Sequence, residues 1–262
     1  MKLAISNIAW PVAENEKMYQ TMSDMGFTGI EIAPTKLFPT APYAHLSETA
    51  KWCEKMKKEY GLQVASMQSI WYGRTENMFS SAEERKCLLE YTKEAVRFAE
   101  VAGCGNLVFG CPRNRNIGEN AELEEAVSFF KDLGEYAYAH GTVIGMEANP
   151  PIYNTNFIND TASAIALIKE VDSKGFRLNL DFGTVLQNEE SLETFCDNVG
   201  LINHVHISEP GLEKIRERQE HKVLAEMLWN AGYQGFVSIE MKQQENTSDI
   251  ISVMNYLREV FA

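Results

Sequence analysis

The sequence predicts an α/β fold, a closed (β/α)8 barrel forming one domain over residues 1–262. Short apolar runs alternate with longer amphipathic stretches along the whole chain, which is the pattern of a parallel sheet. There are eight such runs, the number that closes a barrel. The segment after the first run, SNIAWPVAEN, lacks the Gly-rich phosphate turn with which an open doubly wound sheet usually begins.

In chain order the runs are KLAISNIA (2–9), GIEIA (29–33), QVASMQ (63–68), NLVFG (106–110), TVIGME (142–147), FRLNLD (176–181), INHVHI (202–207) and GFVSIEM (235–241). Several are continuous rather than alternating, as expected of strands buried on both faces. Ser80-Ser81-Ala82-Glu83-Glu84 reads as an N-cap with acids in the first turn. The helix it opens repeats apolar residues from Leu88 to Val101 and stops at Gly103. Leu123–His140 places Ala126, Phe129, Phe130, Leu133 and Tyr136 on one side. Helices are also predicted over Thr161–Val171, Leu192–Val199, Val223–Ala231 and Ser248–Phe261. Many strands are announced by a glycine hinge, as at Gly26-Phe27, Gly61-Leu62 and Gly232-Tyr233.

Composition narrows the function. A chain of 262 residues, 45% of them apolar, suits one α/β barrel and buries an ample core. The formal net charge of −13 repels polyanions and argues against nucleic acid. The five cysteines are an odd number without a CxxC pair, so free thiols in a reducing compartment are expected. No run is long enough for a membrane span or a signal-peptide core, and a cytoplasmic protein is expected.

In such a barrel, function gathers at the C-terminal ends of the strands. The fifth run ends in Glu147, the sixth in Asp181, the seventh near His206 and the eighth near Glu240. Their separations of 34, 25 and 34 residues are each about one βα unit. Alone, a carboxylate at a strand end is more often a helix cap or ion-pair partner than a ligand. Four ligand-type side chains delivered to one rim are a different matter. Three carboxylates brought together without a cation repel, and at least one stays protonated. A histidine with three carboxylates suits one divalent metal ion, Mn2+ or Mg2+ first, with Co2+ or Zn2+ as alternatives. His204 lies about 7 Å further back by strand rise. It is expected to pack in the barrel or to support the ligand by a hydrogen bond.

The set MEANPPIYNTNF, LNLDFGT, HVHISEP and GYQGFVSIEM resembles the sugar phosphate isomerase/epimerase superfamily, the xylose isomerase-like TIM barrels, over essentially the whole chain. The resemblance implies that Glu147, Asp181, His206 and Glu240 hold one divalent metal. It also implies that Glu147 and Glu240 are the catalytic acid/base pair, as in the ketose 3-epimerases. The expected activity is therefore a metal-dependent isomerase or epimerase of a sugar or sugar phosphate. One glutamate would remove the proton beside a carbonyl, and the other would return a proton to the metal-stabilised enediolate. The partner is a small-molecule carbohydrate, and the resemblance implies a homo-oligomer.

Further candidates for substrate binding follow the same rim. Glu31 ends GIEIAP and is a candidate for a sugar hydroxyl or a structural ion pair. Gln68 ends its strand in SMQSIWYG, with Trp71 and Tyr72 beside it to wall a sugar or fill the core. The loop GCPRNRNIG resembles a GSPxNR segment of some relatives. Its Arg113 and Arg115 are candidates for a phosphate or carboxylate clamp, or for surface ion pairs. Asn149 and Tyr153 are expected to line the pocket, and Glu209 to orient a ligand or a hydroxyl. The 3-epimerase sugar-recognition set does not carry over: Thr184 stands where those enzymes place a histidine, and Leu212 where they place an arginine.

Other functions weigh less. An apurinic endonuclease of the endonuclease IV type would need more than the five histidines present and a basic groove. An inosose dehydratase or a hydroxypyruvate isomerase-like enzyme would use a related barrel. A non-catalytic sugar-binding barrel would not need both glutamates.

Overall fold

Eight strands hydrogen-bond in sequence order, β1 to β8, and β8 returns to β1 to close the barrel in a computed structural model that describes residues 1–118 and 122–262. The strands are β1 (Lys2–Ser6), β2 (Gly29–Ile32), β3 (Gln63–Met67), β4 (Leu107–Phe109), β5 (Ile144–Met146), β6 (Phe176–Asp181), β7 (Ile202–Ile207) and β8 (Phe236–Ile239). Every pair is parallel. Each predicted run therefore contains one strand, trimmed by up to three residues.

The outer layer follows from the helix signals. Ser81 caps the helix Ala82–Ala102 by accepting from the Glu84 N–H at 3.1 Å, and Gly103 ends it in the left-handed conformation at φ 62°. Asp160 caps Thr161–Val171 through the Ser163 N–H at 2.7 Å. The helices Leu123–Ala139, Gln219–Asn230 and Thr247–Phe261 complete the predicted set. Leu192–Val199 is the exception: only Glu193–Cys196 is α-helical. Asp197 and Asn198 follow, residue types that compete with the helix through their own side chains. Among the described residues four α-helices carry no clear sequence signal: Asn15–Asp24, Pro34–Leu37, Leu46–Lys55 and Phe182–Gln187.

The apolar core lies between barrel and helices. It takes Ile30, Ile32, Leu178, Leu180, Val205, Ile207, Val237 and Ile239 from the strands, all buried. Alternate positions on the same strands point inward, and there the residues are polar. Ser6, Glu31, Ser66, Asn106, Asn179, His204, His206 and Ser238 are all buried. The barrel interior is thus a polar column rather than the aliphatic layers that fill most such barrels. The pairing register shifts at two of these places, between Ile30 and Glu31 and between Leu178 and Asn179.

Candidate active site

Asp181 ends β6, His206 lies one residue inside the end of β7, and Glu147 and Glu240 lie one residue beyond β5 and β8. Ligand atoms of all four lie within 4.8 Å of one another, and all four residues are buried. His206 Nδ1 is 2.9 Å from Glu147 Oε1 and 3.2 Å from Glu240 Oε2. Asp181 has two uses. Its carboxylate caps the helix Phe182–Gln187 by accepting from the Gly183 and Thr184 N–H groups, while accepting from the Thr184 and Ser208 hydroxyls. A helix cap and a place in the converging cluster, alternatives in the sequence, coincide in this one residue.

The support beneath these groups comes from the polar column. Glu31 is wholly buried, and its Oε2 lies 2.6 Å from His206 Nε2. With Nε2 directed at that carboxylate, Nδ1 faces Glu147 and Glu240, where it donates when the ring is protonated and would offer its lone pair to a cation. His204 Nε2 also lies 3.3 Å from Glu31 Oε2, but without hydrogen-bond alignment. Asn179 Nδ2 donates to Glu147 Oε1 at 2.8 Å. Asn179 Oδ1 accepts from Asn106 Nδ2 at 3.2 Å, and Asn106 Oδ1 accepts from Asn203 Nδ2 at 2.9 Å. Asn203 Nδ2 also donates to the Gly105 carbonyl at 3.0 Å, which fixes the orientation of its amide and of the two amides above it.

The electrostatics are those of acids crowded out of water. Burial opposes ionisation of Glu31, but the His206 charge, the close His206 hydrogen bond and the nearby His204 ring hold its carboxyl well below the usual range. Burial pushes Glu240 up to about 7. Burial, then the Glu147 charge, raises Asp181. Burial disfavours the His206 cation, yet the surrounding carboxylates hold its pKa well above normal. Among the described residues no lysine or arginine side chain bonds the carboxylates of Glu147, Asp181 or Glu240. This donor set fits a divalent cation. Glu147, Asp181, His206 and Glu240 are the residues that would hold it, with carboxylate and imidazole donors of the kinds such ions take.

A cavity of about 640 Å3 opens over the cluster, lined by Glu147, Asp181 and Glu240 at its floor. Gln68, Asn149, Tyr153 and Arg113 also line it, as does Leu212. Gly110 leaves room at the floor, because a Cβ there would lie 2.7 Å from Glu147 Oε2. A larger groove of about 690 Å3 between the last two long helices carries no converging set of ligand-type side chains among its lining residues.

Three sequence candidates are placed elsewhere. Glu31 lies beneath His206, outside the cavity lining, and cannot meet a sugar hydroxyl. Arg115 is fully buried and donates to the Glu147 and Ile158 carbonyls and to Asn149 Oδ1, so it is a brace and not an anion clamp. Glu209 turns away into a two-pronged ion pair with Arg218, at 2.6 and 2.7 Å. Asn179, Ser208 and Gly110 went unnoticed in the sequence. For Ser208 a signal existed, since it stands two residues after His206 in HVHISEP.

Comparison with known proteins agrees with this architecture. The 3-keto-D-glucoside 4-epimerase of E. coli superposes with TM-score 0.75 at 23% identity, covering 99% of both chains. The D-psicose 3-epimerase of Clostridium cellulolyticum superposes with TM-score 0.75 at 17% identity, over 99% of this chain and 91% of that one. The probable 3-DHS dehydratase AsbF of Bacillus anthracis follows at TM-score 0.69 and 16% identity, over 98% of both. At these identities the likeness is one of fold. No curated protein sequence matches significantly. A family model does match, across residues 19–260, and by that span the chain belongs to the xylose isomerase-like TIM barrel family.

Proposed function

We propose that this chain is a divalent-metal-dependent isomerase or epimerase of a carbohydrate. The convergence of Glu147, Asp181, His206 and Glu240 on one point at the floor of a cavity carries the reading. A metal ion held by those four, Mn2+ or Mg2+ first, would polarise a sugar carbonyl and steady the negative charge left when the neighbouring proton departs.

The chain's own residues do the rest. Glu147 and Glu240 come from strands separated by two others, so they approach a bound sugar from different sides. One removes the proton beside the carbonyl, and the other supplies a proton from the opposite side. Asn179 and Asn149 hold Glu147 by its two oxygens, at 2.8 and 3.2 Å. Return at the same carbon epimerises, and return at the adjacent carbon isomerises. That the similar structures include two sugar epimerases supports this reading. The similar dehydratase points to the alternative, in which the same proton removal is followed by loss of water.

The test is solvent deuterium exchange into keto-sugars, followed by NMR, with the protein stripped and then reloaded with Mn2+, Mg2+, Co2+ or Zn2+. Metal-dependent exchange that Glu147→Gln and Glu240→Gln each abolish is expected. An alkene product in place of exchange would establish the dehydratase. Absence of both, across free, glycosidic and phosphorylated keto-sugars, would reject the proposal.

A further inference from the structure

The cavity is larger than the reaction proposed for it. A cavity of about 640 Å3 is of the size that takes drug-sized ligands, more than one sugar ring over the carboxylates fills. The remainder extends away from Glu147 and Glu240 towards the loops after β3 and β4, where Tyr72, Thr75, Pro112 and Arg113 form the wall.

That wall is built. Ser69 takes the left-handed conformation at φ 56°, and two successive turns follow, from Tyr72 N–H to the Ser69 carbonyl and from Arg74 N–H to the Trp71 carbonyl, both at 2.9 Å. Trp71 anchors them. Its ring is buried edge-on against Phe109 with centroids 4.7 Å apart, and its Nε1 donates to Thr92 Oγ1 at 2.7 Å. The next side chain is therefore thrown outward. Tyr72 is 70% exposed at the cavity mouth and stacks on no other aromatic ring among the described residues. A rigid turn that presents a bare aromatic face beside a polar pocket is what a second sugar ring or an aryl group stacks on.

The cations at this end do not suit a phosphate. Arg115 is spent on carbonyls, and Arg74 pairs with Glu76 while lying 4.8 Å over the Tyr91 ring. Among the described residues only Arg113 remains exposed on the wall, and phosphate clamps gather several converging donors. Leu212 adds an apolar surface to the same cavity.

We propose that the outer half of this cavity is a subsite for the neutral aglycone of a glycoside, either a second sugar ring or an aryl group, stacked on Tyr72. The substrate class is thus an unphosphorylated glycoside whose keto-sugar ring lies over the carboxylates, which rests on the function proposed above.

Binding tests this without turnover. Calorimetry and saturation-transfer NMR on the full chain would compare methyl β-D-glucoside, phenyl β-D-glucoside, cellobiose and D-fructose 6-phosphate. The phenyl glucoside and cellobiose are expected to bind about fivefold or more tighter than the methyl glucoside, as one stacked ring allows. Tyr72→Ala should erase that advantage and leave the methyl glucoside unchanged, while Tyr72→Phe keeps it. Equal Kd for all three glucosides, or tighter binding of fructose 6-phosphate lost in Arg113→Ala, would overturn the subsite. The two proposals fail separately. An aglycone preference without deuterium exchange in any keto-sugar sinks the isomerase and leaves the subsite standing. Exchange with simple ketoses and no aglycone preference does the reverse.

Discussion

Glu31→Gln isolates what holds His206 under the carboxylate cluster. In the native barrel Glu31 Oε2 receives the His206 Nε2 proton at 2.6 Å, and Oε1 is 3.3 Å from Gln68 Nε2. Glutamine keeps the shape and one acceptor but removes the charge. A hydrogen bond to a charged group contributes about 1.5–3 kcal/mol and a neutral one about 0.5–1.5, so the loss is about 1–1.5 kcal/mol. It appears as reduced basicity at Nδ1, the nitrogen turned to Glu147 and Glu240. At about 1.4 kcal/mol per decade, Mn2+ should bind about tenfold more weakly. Gln68 has room to turn its amide, because its neighbours Ser6 and Ser69 are hydroxyls that donate or accept. The fold should therefore survive. Calorimetric titration of stripped protein with Mn2+, beside a circular dichroism melt, reads both effects. An unchanged melt with an affinity within twofold of the native value would refute the reasoning and reduce Glu31 to packing.

Other consequences are open to measurement. Saturating metal at about a hundred times its Kd should stabilise the fold by about 2.7 kcal/mol. At about 2–4 °C per kcal/mol, that raises the thermal midpoint by about 5–10 °C, and a scan showing no rise would count against the four-residue site. Gly110→Ala brings a methyl to within 2.7 Å of Glu147 Oε2, and exchange activity should fall at least about a hundredfold while the far-ultraviolet spectrum stays native. His221 is buried beside Phe182, which depresses its pKa to about 4 against about 6.5 when unfolded. The unfolded chain then takes up the proton first as pH falls. The fold loses up to about 3 kcal/mol between roughly pH 6.5 and 4, and His221→Phe should flatten that part of a stability-against-pH curve.

Much of this was readable from residue order alone, for identifiable reasons. The strands were legible because each is buried on both sides and so stands out as an apolar run. The convergence of Glu147, Asp181, His206 and Glu240 was legible because a barrel converts four strand ends into one rim. Asn15–Asp24 and Leu46–Lys55 were not, since Thr49 is the sole fully buried residue of the second and Met18, Tyr19 and Met22 are those of the first. Glu31 and Asn179 stand beside register shifts, where the facing partner changes, and no sequence pattern announces such a shift. Arg115 was misplaced because its neighbour Arg113 is exposed and a short loop gives no period by which to tell them apart.

The asparagines inside the barrel do more than fill it. Asn203, Asn106 and Asn179 come from three different strands or their edges, yet their amides point the same way, each NH2 towards the next carbonyl oxygen and the last towards Glu147. Three aligned amide dipoles therefore present their positive end to a carboxylate at the floor of the cavity, and hydrogen-bonded groups in such a row polarise one another. A helix N-terminus does the same with backbone groups. Here side chains of separate strands build it, at the axis of the barrel where no helix could enter. The orientation of the whole column is set at its far end by one main-chain carbonyl, that of Gly105.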